Sequence, residues 1–158
     1  MDDAISDKPP SGDPPAVAVP PGPQARIVGH GIDLVETTRI AELIERHGER
    51  FLSRCFTAQE RAYADGSAKR RLEHLAGRFA AKEAILKVLG TGWSHGVAWT
   101  DAEVVRLPTG KPTVHLHGRA AAIAGDQRID TWHLSITHTD THAVASVIGE
   151  TIPAPVCS

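Results

Sequence analysis

Hydrophobic residues change their spacing along the chain, and this change predicts where helices and strands lie. Between residues 37 and 89 they recur about every three or four positions, the repeat of an amphipathic helix. The longest such stretch runs from Arg70 to Leu89. Its predicted buried stripe consists of Leu72, Leu75, Phe79, Leu86 and Leu89. Glycines at positions 90 and 92 follow directly and favour the end of this helix there.

Shorter helices are predicted on both sides of this long one. They cover about residues 37–47, 51–55, 57–66 and 119–124. Thr37 or Thr38 can cap the first of them. Thr57 and Glu60 form a capping box, in which the hydroxyl and the carboxylate satisfy free amides of the first turn. Except for the last short one, the helices therefore precede residue 90.

Later in the chain, short β-branched segments separated by turns predict strands. These strands cover residues 103–107, 113–116, 132–137 and 143–148. The turns at Pro108 to Pro112 and Thr139 to Thr141 predict that they form two antiparallel hairpins. A further strand, Ile27 to Val35, precedes all the helices. Helices early and strands late indicate the α+β class, with a small antiparallel sheet packed on the long helix.

Composition sets the expected limits of the folded domain. Most of the eleven prolines fall within residues 1–25, so this segment is predicted to be a disordered tail. Residues 26–151 form the predicted domain, and residues 152–158 form a short C-terminal tail. At 158 residues and 16.9 kDa, a single domain is expected.

Charge and cysteine content narrow the class of protein. The net charge of -2 argues against a general nucleic-acid-binding protein, although the segment from Arg39 to Lys87 is locally basic. A basic segment in an acidic chain suits an anionic ligand or an acidic partner. Cys55 and Cys157 have neither metal-site nor disulfide spacing, so free thiols in a reducing cytoplasm are expected. No stretch is apolar enough to predict a membrane span.

Two charged residues of the long helix are the first candidates for chemistry. Glu83 and Lys87 share a stripe with two alanines, Ala76 and Ala80, which leave room beside the helix. A solvated Glu–Lys pair is the alternative interpretation of these charges. A merely solvated face has no need of alanine, and this favours a ligand.

Asp33 is the second candidate, because it lies in an otherwise apolar strand. It could instead cap the following helix. Together, Asp33 and Glu83 would offer two hard oxygen ligands of the kind that Mg²⁺ prefers, with substrate phosphates completing its shell.

The histidines are not spaced as zinc ligands. His138 and His142 are separated by a predicted turn, and no cysteine or third histidine lies at ligand spacing. His115 and His117 are two residues apart on a predicted strand, so they face the same way, and we expect this pair to face solvent. We therefore expect no zinc site.

Six short segments of the chain form a family signature when they are taken together. They are Gly31-Ile32-Asp33, Phe56-Thr57-x-x-Glu60, Leu75 to Ala84, Gly90-Thr91-Gly92, Gly110-Lys111-Pro112 and Leu134 to His138. In this order they resemble the holo-[acyl-carrier-protein] synthases, the short type of 4'-phosphopantetheinyl transferase. The resemblance covers about Ile27 to Glu150.

The resemblance implies a role for each matching residue. Asp33 and Glu83 would bind Mg²⁺, and the catalytic residues would be Glu83, Lys87 and His138. The coenzyme A-binding residues would be Arg78, Lys82, Lys87, Gly110, Lys111, Pro112 and His138. The base that removes the serine proton would be Glu83 or a water on the magnesium.

The resemblance also implies the reaction and the partners. The enzyme would transfer the 4'-phosphopantetheine of coenzyme A to a serine of apo acyl carrier protein in fatty-acid biosynthesis, releasing 3',5'-ADP. Arg39 would meet the acidic carrier protein, and charge extends this surface to Arg46 and Arg50. A homotrimer would follow, since a single-length chain resembles the trimeric members. The alternatives are a transferase for carrier domains of a secondary pathway and a catalytically silent carrier-binding module.

Overall fold

A computed structural model describes residues 25–92, 94 and 96–152. The helices are α1 (Thr37–Cys55), α2 (Ala58–Asp65), α3 (Arg71–Leu89) and α4 (Gly118–Asp126). The strands are β1 (Arg26–Glu36), β2 (Ala102–Arg106), β3 (Pro112–Leu116), β4 (Thr131–His138) and β5 (His142–Thr151). The predicted α+β class is confirmed. All of the predicted tails except Ala25 and Ile152, and with them Cys157, lie outside the described residues.

The strands form two antiparallel sheets. One has three strands in the order β1-β5-β4, and the other is the β2-β3 hairpin. Both predicted hairpins are confirmed, since β2 pairs with β3 and β4 pairs with β5. β1 joins from the other end of the chain by pairing with β5. Among the described helices, none has the length and apolar character needed to cross a bilayer.

Helix α3 is the centre of the core, and the predicted single buried stripe was too narrow. Every residue from Leu75 to Lys82 is buried, so this part of the helix is enclosed on all sides. Leu72, predicted to be buried, is 38% exposed because it lies in the first turn, before the enclosed part. The alanines of α3 let neighbouring elements approach its backbone closely.

The closest approach is made by β1, which crosses α3 at two glycines. A Cβ atom on Gly31 would lie 2.0 Å from the Ala84 carbonyl oxygen, and one on Gly29 would lie 2.9 Å from the Val88 carbonyl oxygen. Only glycine fits at these two positions without moving the strand away from the helix.

The side chains of β1 alternate between α3 and the outer face of the sheet. The pairing with β5 shifts by one residue at Val28, and from Gly29 onward the odd-numbered residues face α3. Asp33 therefore lies on the helix side. Ile32 and Leu34 lie on the outer face and are 55% and 59% exposed.

Helix α1 is divided by a kink. Gly48 has φ 53° and ψ -132°, values that are outside the helical region, so the helix axis changes direction there. This confirms the prediction of two separate helices at 37–47 and 51–55.

Candidate active site

Asp33 and Lys87 form the contact that ties β1 to the charged stripe of α3. The Lys87 ammonium donates to Asp33 Oδ1 at 2.8 Å and to the Ile32 carbonyl oxygen at 2.5 Å. The Asp33 side chain is 18% exposed and that of Lys87 is 50% exposed, so the pair lies at the surface of the core. The two candidates that the sequence placed 54 residues apart are thus in direct contact.

Glu83 belongs to the same cluster by its position on α3. It lies one turn before Lys87, on the same face of the helix. Gly29 packs against Val88 and Gly31 against Ala84, so each step of two residues along β1 moves about one turn back along α3. The next inward residue, Asp33, therefore lies over the turn that contains Glu83.

The donor set of this cluster fits magnesium. It offers two carboxylates from two different elements, both of them partly accessible to solvent. Magnesium binds through one or two protein carboxylates and completes its shell with water and substrate phosphates. The close approach of β1 at Gly31 brings Asp33, two residues later, to the side of the strand that faces α3.

A cleft between α3 and the β2-β3 hairpin brings together four of the predicted coenzyme-binding residues. They are Arg78, Gly110, Pro112 and His138. Arg78 precedes Glu83 by five residues, which is about 7.5 Å along a helix axis. Five residues also rotate a helix by about 140° beyond one full turn, so Arg78 and the carboxylates lie on different faces of α3.

Arg78 is a buried cation with an unused donor. Its guanidinium carbon lies 3.9 Å from the centre of the Tyr63 ring, and one terminal nitrogen donates to the His74 carbonyl oxygen at 3.2 Å. Burial lowers the pKa of Arg78, although the nearby Tyr63 and Glu60 oppose this effect. Neither its Nε nor the Nδ1 of His74 has a hydrogen-bond partner among the described residues. Such orphaned polar atoms beside a cleft suit an anionic ligand.

His138 ends β4 at the same cleft and is oriented by an acid. Its Nδ1 lies 3.0 Å from Glu73 Oε2, and its ring is 5.9 Å from that of His74. Burial, followed by the positive charge of Arg78, lowers the pKa of His74, so this ring stays neutral at pH 7. His138 is thus placed to contact a ligand while His74 supports it.

Lys82 is a correction to the predicted coenzyme-binding set. Its side chain is fully buried, and its ammonium lies 2.9 Å from Glu60 Oε2, which is equally buried. It also donates to the Trp99 carbonyl oxygen at 3.0 Å and to that of Ala102. Because all three N–H groups are used inside the protein, Lys82 cannot reach the cleft.

The turn between β2 and β3 places the remaining predicted coenzyme-binding residues. Gly110 has φ 88°, and its carbonyl oxygen accepts from Arg106 Nε at 3.2 Å. This contact holds the turn against the arginine, which also lines the cleft. Lys111 is exposed, and its side chain does not line the cleft.

The predicted partner-binding arginines lie along α1. The guanidinium of Arg39 lies 5.7 Å from the centre of the Phe79 ring, and Arg46 pairs with Glu42 at 3.5 Å. Arg50 follows the kink and lines a shallow groove with His47, Phe51 and Arg54. These cations form a basic surface that the kink divides into two parts.

Four polar residues of the cleft were not identified from the sequence. They are Tyr63, Glu73, His74 and Arg106. Their roles depend on contacts between distant elements, and none lies in a distinctive motif. Only Arg106 carried a signal, since it flanks the predicted turn that contains Gly110.

Comparisons of the sequence with known proteins give the family of the chain. A family model described as the 4'-phosphopantetheinyl transferase superfamily matches residues 29–146. The holo-[acyl-carrier-protein] synthase of Solibacter usitatus is 51% identical over 124 residues, which are 78% of this chain and 98% of that protein.

Solved structures show the same similarity. The holo-[acyl-carrier-protein] synthase of Neisseria meningitidis has a TM-score of 0.72 at 31% identity, covering 80% of this chain and all of that one (100%). A holo-(acyl-carrier-protein) synthase of Bacillus anthracis, solved in complex with CoA (3',5'-ADP), has a TM-score of 0.65 at 38% identity, covering 79% and 97%. The chain described here belongs to the holo-[acyl-carrier-protein] synthase family of the 4'-phosphopantetheinyl transferase superfamily.

Proposed function

We propose that this protein transfers the 4'-phosphopantetheine moiety of coenzyme A to a serine of apo acyl carrier protein, in fatty-acid biosynthesis. The observation that carries the proposal is the contact between Asp33 of β1 and Lys87 of α3, one helical turn from Glu83. In the reaction, the serine oxygen forms a bond to the β-phosphorus of coenzyme A. The bond from that phosphorus to the bridging oxygen breaks, and 3',5'-ADP leaves.

Asp33 and Glu83 are the residues that would hold magnesium. When bound there, magnesium would neutralise and orient the pyrophosphate as a Lewis acid. The Lys87 ammonium, already directed at this point by Asp33, offsets the charge that develops on the leaving phosphate. Among the residues of this chain, Glu83 is our candidate for the general base that accepts the serine proton.

The cleft is proposed to bind the adenosine and phosphate end of the coenzyme. Arg78 would supply the unpartnered Nε, and His138 would supply a donor held in place by Glu73. The hairpin turn from Gly110 to Pro112, which includes Lys111, would close one side. Binding energy gained in this cleft would help to position the pyrophosphate for the reaction.

The basic surface of α1 is proposed to receive the carrier protein. Arg39, Arg46 and Arg50 would pair with the acidic side chains of that partner, so association should weaken as salt is added. We propose that the reaction takes place in the cytoplasm, in keeping with the buried, unpaired thiol of Cys55.

Intact-mass spectrometry tests the reaction directly. Apo acyl carrier protein is incubated with the enzyme, coenzyme A and magnesium, and the expected result is a mass gain of one phosphopantetheine arm. EDTA and the Glu83→Ala variant should each abolish the gain. Asp126→Asn, an exposed acid on α4, is the control for loss of a carboxylate.

The outcomes separate the alternatives. The transferase proposal would be contradicted if no carrier protein gained mass although circular dichroism showed that the enzyme is folded. That result would favour the binding module. Faster transfer to a secondary-pathway carrier domain than to the fatty-acid carrier protein would overturn only the assignment to fatty-acid synthesis.

We further propose a homotrimer, supported by the exposed outer face of the three-stranded sheet. Ile32 and Leu34 expose more than half of their surface there, on the same face of β1, and neighbouring exposed apolar side chains are typical of an interface. Sedimentation equilibrium should give three times the chain mass for wild type and a lower mass for Ile32→Glu. Leu107→Glu, at another exposed apolar residue (41% exposed), should leave the mass unchanged. A monomeric wild-type protein would contradict this proposal.

A further inference from the structure

One face of the β2-β3 hairpin carries two histidines and a buried carboxylate. Glu103, His115 and His117 each offer one ligand atom, and these atoms lie within 4.8 Å of one another. Glu103 is only 8% exposed, while both imidazoles reach solvent. None of the three lines the cleft or belongs to the Asp33–Glu83 cluster.

Strand geometry explains why these residues meet. His115 is in β3, and His117 follows the strand with its backbone still extended (φ -127°, ψ 169°), so the two side chains leave the chain on the same side. Glu103 pairs with His115 across the hairpin, and this places it on that same side. The sequence-based prediction against zinc counted only histidines and cysteines, so it missed a carboxylate supplied by the opposite strand.

The distances between the three ligand atoms are close to those of tetrahedral coordination, so only small side-chain movements are needed. Glu103 Oε2 lies 2.9 Å from His117 Nε2 and 4.0 Å from His115 Nδ1. Zinc bonds of about 2.0–2.1 Å set ligand atoms about 3.3 Å apart in a tetrahedron. His115 is 65% exposed at its side chain, so its ring is free to rotate into place.

A hydrogen bond beneath the cluster fixes the carboxylate. The Thr57 hydroxyl donates to Glu103 Oε1 at 2.6 Å, which leaves Oε2 directed at the imidazoles. Burial alone would raise the pKa of Glu103, but the hydrogen bonds from Thr57 and His117 outweigh it and lower this pKa. Carboxylates that bind metals are commonly held by such outer contacts.

We propose that Glu103, His115 and His117 form a binding site for a zinc-class divalent cation, with the fourth position open to water or an added ligand. Imidazole ligands favour zinc over magnesium, so this site is chemically distinct from the all-oxygen pair of Asp33 and Glu83. Through Thr57, the N-cap of α2, the ion would link the hairpin to the helical half of the domain.

The test uses untagged, chelator-treated full-length protein with Co²⁺ as a spectroscopic probe and Zn²⁺ as its competitor. Excess Mg²⁺ is present throughout to occupy hard oxygen sites. We expect one equivalent of Co²⁺ to give the visible absorption of a tetrahedral complex, and Zn²⁺ to displace it. His115→Gln and His117→Gln should each weaken binding by about tenfold or more.

His133→Gln is the matched control. His133 also contacts an acid, with Nε2 at 2.7 Å from Glu150 Oε2, but no third ligand is grouped with that pair among the described residues. Its replacement should leave Co²⁺ binding unchanged. As a second readout, Zn²⁺ should raise the Tm of wild type but not that of His117→Gln.

The proposal is overturned if wild-type protein binds no Co²⁺ at concentrations equal to its own. It is equally overturned if binding persists undiminished in both His115→Gln and His117→Gln. Because both imidazoles are solvent-exposed, neither variant should lose the fold, and the circular dichroism spectrum of each checks this.

Discussion

Replacing Lys82 by methionine tests whether this lysine stabilises the interior or binds the coenzyme. Its ammonium has three protein acceptors, among them the buried carboxylate of Glu60. That carboxylate also accepts from the backbone N–H groups of Thr57 and Val104, so it is fixed in place and cannot follow a lost partner to solvent. Lys82→Met therefore leaves a negative charge without a compensating cation in the core.

The size of the effect follows from this burial. Removing one partner of a buried ion pair costs about 3–5 kcal/mol. That loss is a large share of the roughly 5–15 kcal/mol that stabilises a typical domain. For a domain of this length each kcal/mol corresponds to about 3–4 °C, so the Tm should fall by roughly 10–20 °C.

Two measurements separate the explanations. Urea denaturation followed by circular dichroism gives the free energy of unfolding, and calorimetric titration gives coenzyme A affinity below the transition. Lys82→Met should lose stability and keep affinity, whereas Lys87→Met should lose activity and keep stability. The double variant Glu60→Gln with Lys82→Met should recover part of the stability, since it removes the stranded charge. Wild-type stability together with lost coenzyme affinity in Lys82→Met would refute the reasoning.

Three further predictions follow from the packing and the buried groups. Gly31→Ala should destabilise the fold by about 1–3 kcal/mol or more in urea denaturation, because the new Cβ would overlap the Ala84 carbonyl oxygen. Gly125→Ala is the control, since a Cβ there would meet no atom within 4 Å. Equal unfolding midpoints for Gly31→Ala and wild type would contradict the close approach. Glu103→Gln should cost about 1–3 kcal/mol at pH 7. The pKa of Glu103 is lowered below 4.5 in the folded protein, so its stabilising effect is present above pH 4.5 and is lost as the pH falls through the folded pKa. In an acid titration, the stability of Glu103→Gln should therefore depend less on pH in this range than that of wild type. Parallel plots of stability against pH for the two proteins would count against this. Burial raises the pKa of the Cys55 thiol to about 11, so this thiol should resist alkylation in the native protein at pH 8. Peptide mapping measures the labelling, and rapid labelling of Cys55 would show that it is accessible.

The sequence predicted the elements well where the signal is local. The Thr57–Glu60 capping box is present as expected, and both hairpins follow from their turn residues. The break in α1 was predicted as two separate helices, at residues 37–47 and 51–55. Such features depend on neighbours within a few positions, and sequence patterns record these directly.

Features that depend on distant contacts were harder to predict. Lys82 has the charge and the helix position of a ligand-binding residue, and only the buried Glu60 from α2 shows that it faces inward. Glu103 is invisible as a partner of His115 until the hairpin register is known. In both cases the residue type is visible in the sequence, but the residue that it meets is not.

The register shift at Val28 makes the number of residues in β1 a condition for bringing Asp33 to the side of the sheet that faces α3. Without the shift, Val28 would pair with Gly149 and every later residue would face the opposite side of the sheet. Deleting Val28 would keep the later pairing intact. Deleting His30 would either turn Asp33 toward the outer face or move Val28 into the place of Gly29, where a Cβ lies 2.9 Å from the Val88 carbonyl oxygen. Insertions and deletions between Gly29 and Asp33 are therefore far more damaging than substitutions on the exposed side of the strand. Position along the strand specifies this site as much as amino-acid type does.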